Sequence, residues 1–332
     1  MNPHPNEVLF EGEKPFPVLP AVDHYAGSEK LILKALSLQQ QMGPLFDVTC
    51  DCEDGAPAGQ ETEHAGMVAS IIASPENRHD RVGVRIHDVT HPHWRRDLDI
   101  LITGAGARIA FVTLPKVRGV TDASVQVDAL RTLEARHGIA PIPVHVLIET
   151  HGALREVWQI AALDAVESID FGLMDFVSAH HGAIPASAMR SPGQFSHPLV
   201  VRAKTEIAAA ALGNGVVPSH NVTTELKDIE YIRADAARAR NEFGFLRMWS
   251  IHPNQIEPII DAMRPDFSEI EEASEILVAA QNRAWGPIQH GGRLHDRASY
   301  RYYWTLLQRA HATGSPLGKE IETRFFTVGD SA

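Results

Sequence analysis

Cysteine is scarce: Cys50 and Cys52 are the only two in 332 residues, too few for the disulfide framework of a secreted scaffold. An excess of basic charge is also missing. Lys and Arg number 30 against 42 Asp and Glu, a net charge of −12. Nucleic acid and anionic membranes both need a positive footprint, so neither is an expected partner. No apolar run approaches the roughly 20 residues of a membrane span. The opening residues 1–7 carry neither the basic nor the apolar stretch of a secretory leader. These absences point to a cytoplasmic protein. The sequence also has no G-x-S-x-G and no H-E-x-x-H, which argues against a nucleophile-elbow hydrolase and a zincin. What is present is ordinary globular composition, 44% hydrophobic and 22% charged, with length enough for a large core.

Short β-branched runs alternate with longer amphipathic ones. Strands are expected at 17–22, 45–52, 82–87, 109–114, 144–149, 168–173, 215–218 and 245–251. Helices are expected between and after them, at 28–42, 58–74, 92–103, 122–137, 153–163, 199–212, 224–241 and 253–263. Eight strand–helix units of this kind predict a (β/α)8 TIM barrel. The rival, a doubly wound open sheet, should place G-x-G-x-x-G after its first strand. The chain instead reads Ala21-Val22-Asp23-His24-Tyr25-Ala26-Gly27. Residues 1–265 are assigned to the barrel. Residues 266–332 are assigned to a helical C-terminal extension. The stretch 174–198, rich in Gly, Pro, Ser and His, is a long loop of the kind that usually serves function.

Barrel chemistry sits at the C-terminal ends of the strands. Read in order, those ends carry Glu53 and Asp54, Arg85, Lys116, Glu149 and Asp175. One charged strand end is most simply a rim salt bridge, but at least five at one face predict an active site. Glu149 and Asp175 close neighbouring strands and suit a hard divalent cation such as Mg²⁺, which takes one or two carboxylates and keeps positions for water and substrate oxygens. Glu53 and Asp54 are candidates to hold the metal's waters. Arg85 offers a two-pronged fork for a substrate carboxylate. A metal facing an arginine suits a small 2-oxo acid and the making or breaking of a carbon–carbon bond. Lys116 is read as an electrostatic or substrate-binding lysine in preference to a Schiff base. Cys50 and Cys52 are read as buried small apolar residues, and His180-His181 as solvent- or substrate-facing.

Six blocks carry a resemblance. Cys50-Asp-Cys-Glu-Asp-Gly-Ala-Pro57 resembles the D-L-E-D-A-V-P block of the citrate lyase beta subunit family, within the HpcH/HpaI aldolase superfamily. Val84-Arg85-Ile86, Leu114-Pro-Lys-Val117, Leu147-Ile-Glu-Thr150, Phe171-Gly-Leu-Met-Asp175 and Ile251-His-Pro-Asn-Gln-Ile256 resemble its further blocks, in family order. The resemblance implies a TIM barrel, Mg²⁺ on Glu149 and Asp175, and substrate on Arg85. It also implies a homotrimer or hexamer in which a C-terminal segment supplies an aspartate to a neighbour's site; Asp296 is the candidate. The implied reaction cleaves a 3-hydroxyacyl-CoA, such as citramalyl-, malyl- or citryl-CoA, into a 2-oxo acid and an acyl-CoA. Two alternatives stay open: a metal aldolase of free 4-hydroxy-2-oxo acids, and a citrate lyase beta subunit dependent on a carrier complex. The sequence departs from the family pattern at its first strand, after Asp175, and after the seventh strand, where it reads Pro218-Ser-His-Asn221.

Overall fold

The computed structural model describes residues 3–10 and 16–326. Residues 1–2 of the segment read for a leader, and 327–332 of the extension, lie outside them. Eight parallel strands close into the expected barrel in chain order. They are β1 Val22–Ala26, β2 Phe46–Asp51, β3 Val82–Arg85, β4 Ile109–Leu114, β5 Val144–Ile148, β6 Val166–Phe171, β7 Val217–His220 and β8 Arg247–Ser250. Closure runs from β8 to β1, in the register Val22↔Met248, Asp23↔Trp249 and His24↔Ser250. A helix follows nearly every strand and packs an apolar stripe onto the sheet, forming one large core with the strands' outward faces. The expected helix at 153–163 is divided into two short ones, His151–Arg155 and Val157–Ala161. Cys50 and Cys52 are free and buried in that core.

The first strand is displaced from its expected place. Residues 17–22 include Pro17 and Pro20, which lack the N–H a central strand must donate. The ladder therefore starts only at Val22. The shift puts Asp23 and Tyr25, side chains two apart on one strand, inside the barrel. Ligating atoms of Asp23, His145 and Asp170 lie within 4.8 Å of one another, across the lumen from β1 to β5 and β6. Asp23 Oδ1 accepts from Thr49 Oγ1 at 2.7 Å. Arg247 Nη2 stands 2.6 Å from Asp47 Oδ2 and 3.4 Å from Asp23 Oδ2. Burial pushes Asp23 up to about 6 against the pull of Arg247. The inner layer of the barrel is thus charged and polar where a TIM barrel more often carries branched apolar side chains.

The segments before Pro20 and after Met263 form a second compact unit. Helices Phe267–Asn282 and Arg297–Ala312 pack around Trp285, Tyr300 and Trp304, and Leu9 of the short helix Pro5–Leu9 joins the same core. Trp304 Nε1 donates to Asn6 Oδ1 at 2.7 Å and Trp285 Nε1 to the Pro3 carbonyl at 3.0 Å. The stretch 285–297 contains an antiparallel hairpin of β9 Ile288–His290 and β10 Arg293–His295. Its two-residue turn is Gly291-Gly292, at φ +55° and +76°, the pairing a tight primed turn requires. Among the described residues no helix is long and apolar enough to cross a membrane.

Candidate active site

A cavity of about 330 Å³ opens at the C-terminal ends of the barrel strands. Arg85, Glu149, Asp175 and Asp54 line it, together with Tyr25, Asp51, Asn221 and Trp249. Asp51 ends β2 directly opposite Arg85 of β3 in the ladder, so the two meet by register alone. Arg85 Nε donates to Asp51 Oδ1 at 2.8 Å and Nη2 to Oδ2 at 2.5 Å. The same carboxylate accepts from Glu53 N at 2.9 Å and Gly55 N at 2.8 Å. Burial opposes the charge on Asp51, yet Arg85 and these two N–H groups hold it below the ordinary carboxylate range. With Asp51 on one edge of the guanidinium, the Nη1–Nη2 end is what Arg85 has left to offer a ligand, and its Nη1 lies 3.3 Å from Glu53 Oε2.

Lys116 Nζ is bound by Glu53 and, at 2.7 Å, by Asp54. Partial burial works against the ammonium, but the bonds to Asp54 and Glu53 overrule it and raise its pKa above the usual lysine range. A Schiff base needs the neutral amine, so this environment suits an electrostatic role. Lys116 sits at φ +49°, and its backbone N–H donates to Glu149 Oε1 at 2.6 Å.

Glu149 follows β5 and is only 2% exposed. Asp175 lies in the first turn of helix Leu173–Ser178, immediately after β6. Gly172 lets the backbone pass close to the acid: a Cβ there would stand 2.3 Å from Glu149 Oε2. Burial, and then the charge of Asp175, push Glu149 up to about 8. Two acids pressed together in this way fit a divalent cation, which would neutralise both. The sign of the pH effect follows. Glu149's contribution to the metal-free fold is present below its ordinary 4.5 and lost as pH rises through about 8. A metal takes only the ionised form. Apparent Mg²⁺ affinity is therefore expected to rise about tenfold per pH unit between about pH 6 and 8, then level off. Titrations of thermal stability against Mg²⁺ at several pH values read this directly; an affinity constant across that window removes Glu149 from the ligands.

The structure therefore gathers Glu53, Asp54, Arg85, Lys116, Glu149 and Asp175 around one mouth. Glu53 stands behind the wall as the link between Arg85 and Lys116, and Asp54 reaches the cavity itself. Asp296 belongs to the second unit, where it is the N-cap of helix Arg297–Ala312 and accepts from Ala298 N at 3.0 Å. His180 Nδ1 bonds the Phe176 carbonyl at 2.6 Å, and neither His180 nor His181 lines the cavity. Sequence reasoning missed Asp51 as the partner of Arg85, noted Asn221 only as part of the departure after the seventh strand, and missed Tyr25 and Trp249 altogether. Tyr25 and Trp249 stack at 4.4 Å between ring centroids, with the Arg85 guanidinium 5.3 Å over the tyrosine ring. A strand start placed after Pro20 would have exposed Tyr25.

A family model described as HpcH/HpaI aldolase/citrate lyase matches residues 40–253. A crystal structure of a citrate lyase from Burkholderia xenovorans LB400 is 57% identical, with a TM-score of 0.84 over 97% of this chain and 100% of that one. An L-malyl-CoA/beta-methylmalyl-CoA lyase of Cereibacter sphaeroides is 29% identical over 279 residues, 79% of this chain and 86% of its own. The structure of CitE from Mycobacterium tuberculosis, in complex with magnesium, acetoacetate and coenzyme A, shares the fold at a TM-score of 0.66 and 22% identity, over 88% of this chain and 98% of that one.

Proposed function

Since the chain belongs to the HpcH/HpaI aldolase/citrate lyase family, we propose that it is a Mg²⁺-dependent carbon–carbon lyase that cleaves a 3-hydroxyacyl-CoA into a 2-oxo acid and an acyl-CoA. Citramalyl-, malyl- and citryl-CoA are the substrates of the right form. The observation that carries this reading is the pair Glu149 and Asp175 beside Arg85 in one cavity. The two acids would hold the metal, and the raised pKa of Glu149 supports that fit. When bound, the metal supplies a Lewis acid for the oxo oxygen.

The protein's own groups divide the remaining work. Arg85 would bind the 2-oxo acid carboxylate through its Nη1–Nη2 end, held in place by the two-pronged bond to Asp51. Lys116 ties Glu53 and Asp54 together at the rim, and its backbone N–H orients Glu149. Tyr25 and Trp249 form an apolar wall that keeps water from the side of the reacting carbons. The thioester is needed because the departing carbanion must be delocalised, and a free carboxylate does this poorly. The same reading makes the protein a homotrimer or hexamer in the cytoplasm, with Asp296 brought to a neighbouring copy's site.

The test incubates the protein and Mg²⁺ with malyl-CoA or citramalyl-CoA, and separately with free 4-hydroxy-2-oxo acids. Release of glyoxylate or pyruvate from the thioesters is the expected result. Turnover of the free acids alone would make the protein an aldolase without a carrier. Turnover of neither would favour a subunit that works only within a carrier complex.

A further inference from the structure

A second cavity, of about 530 Å³, lies on the outside of the barrel between the helices Trp94–Ala105 and Val120–His137. It shares no lining residue with the catalytic cavity. The two helices meet near their C-terminal ends, where Thr103 Oγ1 lies 3.4 Å from His137 Nε2. On the N-terminal side of that contact the first helix packs mainly on its other neighbour, Glu61–Ala73, and a groove is left toward the second. Leu98 and Leu133, both buried, form the floor of the groove, with Ala129 beside them.

The walls carry three arginines. Arg95 and Arg96 come from one helix and Arg136 from the other, and all three are exposed. Among the described residues none of them has a hydrogen bond or an ion pair. Arg95 is held only by its own neighbour, with its guanidinium 4.1 Å over the Trp94 ring. The arginines nearby in the chain are differently placed: Arg108 is taken up by Asp80, Arg118 by Asp122 and Arg131 by Glu134. The chain has 42 acidic residues, yet Asp99 alone among them lines this groove, and it pairs with none of the three. Two of the arginines also sit badly for their own helix. Arg95 and Arg96 lie in its first turn, where the helix dipole opposes a cation. The acid of that turn, Asp97, is buried and is taken up by His87 Nδ1 at 2.6 Å. The groove is therefore a concentration of positive charge that the fold itself does not compensate.

We propose that this groove binds a phosphorylated small molecule, with the phosphate on Arg95, Arg96 and Arg136 and an apolar body on Leu98, Leu133 and Ala129. Guanidinium forks match phosphate oxygens. Three forks converging from two helices suit a tetrahedral phosphomonoester, with three outer oxygens, better than a planar carboxylate with two. Three arginines against one aspartate leave two positive charges, which the phosphomonoester dianion balances. The cavity falls within the roughly 300–1,000 Å³ of small-molecule sites, and its apolar floor favours a flat body such as a nucleobase over a bare sugar. The site is additional to the lyase centre, so its failure would leave that reading untouched.

The experiment titrates AMP, ribose phosphate, inorganic phosphate and citrate by calorimetry into the parent protein, Arg96→Gln, Arg136→Gln and Arg155→Gln. Arg155 is an exposed arginine outside the groove, beside Glu156, and controls for the lost charge. AMP is expected to bind once per chain, and more tightly than the other three probes. Loss of charge-assisted hydrogen bonds is expected to weaken AMP about tenfold to a hundredfold in Arg96→Gln and in Arg136→Gln, and to leave it within about twofold in Arg155→Gln. All three positions are exposed, so circular dichroism and Tm should stay at the parental values. AMP bound equally by the parent and all three variants would put its phosphate elsewhere and overturn the proposal. Citrate bound as tightly as AMP would overturn the choice of phosphate, and ribose phosphate bound as tightly as AMP would overturn the apolar body. No binding of any phosphate probe also overturns it; if light scattering then shows a changed oligomeric state in Arg96→Gln or Arg136→Gln, the groove is an interface between copies of the chain.

Discussion

Glu149→Gln and Asp175→Asn are expected to fold, and to lose the rise in melting temperature that Mg²⁺ gives the parent. Mg²⁺ dehydrates reluctantly and is held by few protein ligands, so removing one of two carboxylates should cost most of the affinity. At a hundredfold excess over Kd, a ligand stabilises the parent by about 2.7 kcal/mol. That is several degrees in Tm for a chain of this size. A second sign separates a metal ligand from a structural acid. In the metal-free protein Glu149 is an acid raised to about 8 by burial and by Asp175. Glutamine carries no charge and keeps an oxygen for the Lys116 N–H. Metal-free Glu149→Gln should therefore melt higher than the metal-free parent above about pH 8. Melting curves with and without Mg²⁺ at two pH values check both. A Mg²⁺ response preserved in both variants would place the metal elsewhere.

Gly172→Ala should damage the same site without touching a charge. The backbone there, at φ −93°, is open to any residue, so the argument is steric. The added Cβ would lie 2.3 Å from Glu149 Oε2 and 2.6 Å from its Cβ. Neither distance is tolerable, so Glu149 must move off its position beside Lys116 N. We expect metal affinity to fall about a hundredfold or more, while overpacking costs about 1–3 kcal/mol of stability. Gly66→Ala is the control. Nothing lies within 4 Å of a Cβ at that position, in the helix Glu61–Ala73, and alanine there should be neutral or slightly stabilising. Metal titration of both variants tests the contrast; normal affinity in Gly172→Ala would mean that Glu149 is free to shift without loss.

The charged strand ends were legible because each lies inside a short local block whose position in the barrel follows from counting strands. Arg85, Glu149 and Asp175 needed only that count. The first strand was not legible, since an apolar run containing Pro17 and Pro20 looks like a strand until the missing N–H groups are weighed against a central place in a sheet. Tyr25 was lost with it. Asp51 lay in plain view between two cysteines, but its role depends on the β2–β3 register, which no single segment encodes. Asn221 is a further step removed. Its orientation depends on Gln194, in the loop after Asp175, and on Lys204, in the helix Pro198–Gly213. In that loop His180 and His181 stand out by residue type, while the residue tied to the cavity wall is a buried glutamine, Gln194. Such a network joins residues far apart in the chain, and spacing alone does not reveal it.

The guanidinium of Arg247 belongs to the last barrel strand, and the carboxylates nearest it, Asp47 and Asp23, belong to the second and the first. A chain made from its N-terminus acquires both acids long before it acquires their cation. Up to β7 the growing sheet has two open edges, and Asp23 lacks the guanidinium of Arg247, although Asp47 already has Arg81 at 2.7 Å. Arrival of β8 removes both faults together, joining the edges through the β1–β8 ladder and bringing in the positive charge. Partial barrels are thereby disfavoured, and completion of the ring becomes the step that commits the chain to its fold. Because the contacts made at that step are the most distant in the barrel's sequence, this is also the step for which a newly synthesised chain waits longest.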